Sequence, residues 1–142
     1  MTNSKIDKDA DIHKTVFVSC DRIDASDPQA LIAELRRCGF TVGHSPRDPF
    51  RNYDPEWDDH SVVGSDAFVI VLDRGWDSSS ALAMEAQEAE GSLEGYVPIP
   101  MFFYNPSAVI PAPQAIGVLP YLKEELPPNP TEAVAFLIER LR

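Results

Sequence analysis

The sequence predicts an α/β fold, a parallel sheet of four or five strands with helices packed against it. Three observations lead there. The run Ala67-Phe68-Val69-Ile70-Val71-Leu72-Asp73 is continuously apolar and rich in β-branched residues, the pattern of a strand covered on both faces. Shorter apolar runs of strand length recur before and after it, separated by segments whose apolar residues fall three and four apart. Helix-starting residues (Ser26, Ser79, Asn129) and a helix-stopping Gly39 stand at the boundaries between the two patterns.

Taken in order, Thr15-Val16-Phe17-Val18-Ser19-Cys20 reads as a short strand ending in small polar residues. Ser26-Asp27-Pro28-Gln29 opens a helix, with Ser26 expected as its cap, Pro28 in the first turn and Gln29 completing a capping box. Leu31, Ile32 and Leu35 form its apolar stripe and Gly39 ends it. Phe40-Thr41-Val42 is a second short strand, followed by a long loop from Gly43 to about Pro55 that contains Pro46, Pro49 and Pro55. A short helix is expected from Glu56 to Gly64, the central strand from Ala67 to Asp73, and a helix from Ser79 to Glu90. Tyr96 to Tyr104 reads as the next strand and Pro106 to Gln114 as an irregular segment. Val118-Leu119-Pro120-Tyr121-Leu122 reads as an edge strand, where proline is tolerated. Asn129-Pro130-Thr131-Glu132 is a second capping box, opening a helix with Val134, Leu137, Ile138 and Leu141 turned inward.

The length of 142 residues and an apolar fraction of 44% fit one domain with a real core, expected over residues 15–142 after a flexible polar tail over 1–14. A net charge of −11 repels phosphate backbones and anionic lipid, which argues against nucleic-acid and membrane partners. The sequence holds neither an apolar stretch of membrane-spanning length nor a hydrophobic leader, so a cytoplasmic protein is expected. Cys20 and Cys38 read as reduced thiols. The three histidines, at 13, 44 and 60, have no helix-spaced partners, so no metal site is expected.

Strands alternating with helices imply right-handed crossovers, and five strands suit the flavodoxin-like order 2-1-3-4-5 within a three-layer sandwich. In that order ligands bind at the carboxyl ends of the first and third strands, where the order reverses. The polar residues just past those ends are Ser19, Cys20 and Asp21 on one side, and Asp73, Arg74, Gly75 and Trp76 on the other. Glu85 follows in the second turn of the helix leaving the third strand, which makes it the candidate catalytic carboxylate.

These residues resemble a known family. Val16-Phe17-Val18-Ser19, Gly39-Phe40-Thr41-Val42 with the long loop after it, Trp57 ahead of a short helix, and Ser65-Asp66-Ala67-Phe68-Val69-Ile70-Val71-Leu72 are similar to successive pieces of the TIR (Toll/interleukin-1 receptor) domain. The likeness continues through Ser79 with Glu85 six residues later, Val97-Pro98-Ile99-Pro100, and Leu119-Pro120-Tyr121 before the last helix. It spans nearly the whole of Thr15 to Arg142. In enzymatic members of the family a helix glutamate cleaves the nicotinamide–ribose bond of NAD, which the resemblance assigns to Glu85. Gly75-Trp76-Asp77-Ser78-Ser79 followed by Glu85 also resembles nucleoside 2-deoxyribosyltransferase-like proteins, which share the fold and use a helix glutamate as nucleophile. Ala81 departs from both patterns, standing where the first carries Trp and the second Gly.

Breaking a C–N glycosidic bond builds positive charge on the ribose, which a carboxylate beside the anomeric carbon stabilises or attacks. Nicotinamide in NAD is already cationic and leaves without a general acid, whereas a neutral base needs a proton donor. Around Glu85, the candidate substrate-binding residues are Ser19, Asp21 and Asp73 at the rim, Trp57 and Trp76 as stacking surfaces, and Ser79 for a ribose hydroxyl or phosphate. Each has a plainer alternative: Glu85 as a solvated helix carboxylate like Glu88, Glu90 and Glu94, Ser79 as a simple cap, the tryptophans as packing residues, and the aspartates as acceptors for loop amides. Two classes of function follow. One is an N-glycosidase acting on a nucleotide or nucleoside, with NAD as substrate and no resident cofactor. The other is a signalling or scaffold module that acts by self-association, with homo-oligomeric contacts through the loop from Gly43 to Pro55.

Overall fold

A computed structural model of the chain describes residues 14–20, 25–44, 62, 64–72, 85–87, 89–91, 98–107 and 123–142. Five strands, β1 (Thr15–Ser19), β2 (Thr41–Gly43), β3 (Ala67–Val71), β4 (Met101–Tyr104) and β5 (Glu124–Glu125), form one all-parallel sheet in the order β2-β1-β3-β4-β5. This is the flavodoxin-like order expected from the alternating pattern. The register pairs Val16 with Val42 and with Ala67, and Phe68 with Met101. At the lower edge β1 and β3 are clasped together. The Thr15 N–H donates to Asp66 Oδ2 at 2.8 Å and the Asp66 N–H donates to the Thr15 carbonyl, also at 2.8 Å.

Alternation along the strands sends successive side chains to opposite faces. Val16, Val18, Val69, Val71, Phe102 and Tyr104 pack with Leu31 and Leu35 of helix α1 (Ser26–Arg37) and with Val134 and Leu137 of helix α2 (Pro130–Leu141). Phe17, Phe68, Ile70 and Met101 pack with Ala86 and Ala89 on the other face, where residues 85–87 and 89–90 are helical. The result is three layers with β3 wholly buried at the centre, and every residue from Ala67 to Leu72 has 0% exposure. The uninterrupted apolar run of β3 follows from that double covering.

The helix ends show why the chain turns where it does. Gly39 has φ 99°, in the left-handed region that costs other residues energy. Its N–H donates to the Arg36 carbonyl at 3.1 Å and the Phe40 N–H to the Leu35 carbonyl at 3.0 Å, the paired bonds of a Schellman motif. At the start of α1, however, the cap is Ala25 with no side-chain bond, one residue earlier than the expected Ser26. Ser26, Asp27 and Pro28 already lie in the first turn, where Pro28 is buried and its missing N–H costs nothing. For α2, Asn129 caps as expected and accepts from the Glu132 N–H at 3.2 Å.

Two strands differ from the sequence reading. Strand β4 begins at Met101, although the Pro100 carbonyl already accepts from the Phe68 N–H of β3 at 2.9 Å. Pro98 and Pro100 have no N–H to donate, and the Ile99 N–H is taken by the Ala89 carbonyl at 3.0 Å. Residues 118–122 lie outside the described residues, and the fifth strand is Glu124–Glu125, a stretch without apolar residues. An edge strand pairs on one side through main-chain groups alone, and here the Leu126 N–H donates to the Phe103 carbonyl at 2.8 Å. Of the expected tail (1–14) only residue 14 is described, and of the loop expected from 43 to 55 only Gly43, which closes β2, and His44. Of the helix expected from 56 to 64, Val62 and Gly64 are described and neither is helical. Among the described residues, no helix is long and apolar enough to cross a membrane.

Candidate active site

The switch point lies between β1 and β3, because β2 is laid down on one side of β1 and β3 on the other. Ser19 is the last residue of β1, opposite Ile70 in the register with β3. Strand alternation puts Ser19 on the same face as Phe17, toward the helical residues 85–87 and 89–90. On that helix Ala86 and Ala89 are 0% and 1% exposed, and Glu85 lies one residue before Ala86 and four before Ala89. The three therefore share the stripe facing the sheet. Glu85 is 7% exposed, the one buried glutamate among the described residues.

The two residues meet. The Ser19 Oγ–H donates to Glu85 Oε1 at 2.6 Å, in a bond buried from solvent and linking residues 66 apart in sequence. The length is typical of a hydroxyl bound to a carboxylate. Ser19 is itself 0% exposed. A carboxylate is thus tied down at the carboxyl edge of the central strands. The plainer alternative of a solvated helix glutamate does not describe Glu85, although it does describe Glu90, which makes an exposed ion pair with Lys123 at 3.8 Å.

Of the other residues expected at the site, Asp21, Trp57, Asp73, Trp76 and Ser79 lie outside the described residues. Sequence reasoning placed both Ser19 and Glu85 at the rim but missed that they bond to each other. The signal was present in two periodicities: the period-two face shared by Phe17 and Ser19, and the helical stripe shared by Glu85, Ala86 and Ala89. His44, which follows β2 at the same end of the sheet, was singled out only as an improbable metal ligand and is 5% exposed. On the opposite face, the Ser107 hydroxyl donates to Asp27 Oδ2 at 3.0 Å. Burial raises the Tyr104 phenol above the ordinary tyrosine value, and the Asp27 carboxylate pushes it the same way. Cys20 and Cys38 are buried thiols not joined as a disulfide. Among the described residues, no three His, Cys, Asp or Glu side chains gather in a group suited to a metal ion.

Neither a family model nor a curated protein matches the chain. A solved structure that aligns with it is described as a GCN5-related glucosamine N-acetyltransferase region in a fungal multi-domain GH3 β-N-acetylglucosaminidase. The alignment has 10% identity and a TM-score of 0.42, and it covers 93% of this chain but 14% of the other. A likeness of that degree carries no weight for fold or function.

Proposed function

We propose that this is a TIR-like N-glycosidase that hydrolyses the nicotinamide–ribose bond of NAD with Glu85 as its catalytic carboxylate. One observation carries the reading: a glutamate buried at the carboxyl rim of β1 and β3, with an oxygen fixed at 2.6 Å by Ser19. The resemblance of the chain to TIR domains supplies the substrate class.

The chemistry asks little more of the protein. The C1′–N bond breaks and its electron pair goes to the pyridinium nitrogen, so nicotinamide departs neutral and no acid is required. Glu85 either stabilises the positive charge left on the ribose or adds to C1′ as a nucleophile. The oxygen of water then bonds C1′ and loses a proton, and where Glu85 had added, its bond to C1′ breaks and returns the electron pair to the carboxylate. Screening from bulk water strengthens the effect of the carboxylate on that charge. In this reading the protein works in the cytoplasm, takes NAD as substrate without a resident cofactor, and assembles through contacts between copies.

Incubation with NAD and with a panel of deoxynucleosides, over a range of protein concentrations and with free base followed by chromatography, tests the reading. Release of nicotinamide is expected, and Glu85→Gln should lower kcat by roughly a hundredfold or more, the scale of losing one preorganised electrostatic contact in a transition state. Base released from deoxynucleosides alone would replace NAD hydrolysis with deoxyribosyl transfer chemistry. No turnover, with assembly that grows with concentration, would replace catalysis with a scaffold role.

A further inference from the structure

We infer that Ser19 is the positioning residue of the site, acting through Glu85 without contacting the substrate, an inference that rests on the hydrolytic reading above. Ser19 has one proton to donate, and the structure commits it to Glu85 Oε1 at 2.6 Å. The residue is 0% exposed, so its hydroxyl meets the carboxylate from within the protein and not from the solvent side. Its backbone belongs to β1 and pairs with Ile70 of the fully buried central strand β3. Glu85 belongs to a different element, a helix packed through small alanines, and its side chain has three rotatable bonds.

A carboxylate that must lie within bonding or ion-pairing distance of an anomeric carbon gains from having that freedom removed before substrate arrives. The strand supplies a fixed point that the helix cannot supply for itself. Serine suits the task because it is short enough to sit under the helix without displacing Ala86 and Ala89, and because its hydroxyl can rotate to meet the carboxylate oxygen. The role also departs from the first assignment of Ser19 as a direct ligand of the ribose: its proton goes to Glu85 and the residue is 0% exposed.

The test uses the full chain with Ser19→Ala, Ser19→Thr and Ser19→Cys, each checked for folding by circular dichroism. For NAD hydrolysis, Ser19→Ala should lower kcat by roughly ten- to a hundredfold, the effect expected for misplacing a reacting group by about 1 Å. KM should stay within about twofold, since a group acting only in the transition state leaves ground-state binding alone. Ser19→Thr keeps the hydroxyl and should recover most of kcat. Ser19→Cys, close in volume but a weak donor, should fall between Ser19→Thr and Ser19→Ala. A rise in KM at unchanged kcat would make Ser19 a substrate ligand and overturn the inference, as would wild-type kcat in Ser19→Ala. If the wild-type chain releases no base from NAD or any nucleoside, the hydrolytic reading fails by itself. Crystal structures of the wild type and of Ser19→Ala then decide the positioning role. A Glu85 carboxylate displaced or spread over several rotamers in Ser19→Ala sustains it, and one that stays in place overturns it.

Discussion

A buried glutamate is expensive to keep, because burial strips water from a group that favours it. Glu85 meets that cost in part through Ser19, whose hydroxyl replaces one lost water contact at 2.6 Å. In the proposed reading that bond also holds the catalytic carboxylate still before substrate arrives. Tyr104 shows the other side of burial at the same scale. It is 1% exposed, and burial first and Asp27 second keep its phenol neutral to higher pH in the folded chain than in the unfolded one. A group with a raised folded value binds its proton more tightly in the native state, so its contribution is intact below the ordinary tyrosine value of about 10 and is lost as pH rises beyond it. Urea unfolding followed from about pH 9 upward should therefore show stability falling, with a shallower fall in Tyr104→Phe.

Helix ends show how local rules and tertiary structure share control of an element. Gly39 and Asn129 act as their types predict, one by taking a positive φ and one by capping Glu132. Gly39→Ala should destabilise by roughly 1–2 kcal/mol through the left-handed penalty, and Asn129→Ala by about 1 kcal/mol through the lost cap. Both are read as shifts in the urea midpoint at unchanged slope. The start of α1 was less legible. Ser26 has the side chain of a cap, yet Ala25 occupies the position and Pro28 is buried against the core. Burial of Pro28 in the first turn stands in place of a side-chain cap bond of about 1 kcal/mol. At β4 the two prolines announced the strand but also delayed it, since neither can donate to a neighbouring strand.

At the scale of the molecule, one apolar layer is shared between sheet, α1 and α2, and its centre is the most sensitive place in the fold. Leu137 is 0% exposed within it, and Leu137→Ala should cost about 2–5 kcal/mol by lost burial and a residual cavity. Arg140 on the same helix pairs with Glu124 of β5, donating from Nη1 at 2.9 Å, and lies 4.8 Å from the centre of the Phe136 ring. That contact covers the sheet edge but is half exposed, so Arg140→Ala should cost under about 1 kcal/mol and less at high salt. Thermal melts of the two variants should differ accordingly, with Leu137→Ala far the lower.

The class of fold, the strand order and most helix ends were written in local terms that a sequence displays: an unbroken apolar run for a strand covered twice, stripes at helical spacing, a glycine and an asparagine where the backbone needs them. The rim position of Ser19 and of Glu85 followed from the same terms, since a strand order fixes which ends converge. What only the folded chain decided was contact between groups far apart in sequence. The bond from Ser19 to Glu85 spans 66 residues and exists because one strand tip and one helix stripe are brought together by the core packed beside them. Likewise β5 is a strand because β4 offers it a row of main-chain partners, and nothing in two consecutive glutamates demands it. Periodicity is a property of neighbours along the chain, whereas pairing across it depends on where packing sets the elements down.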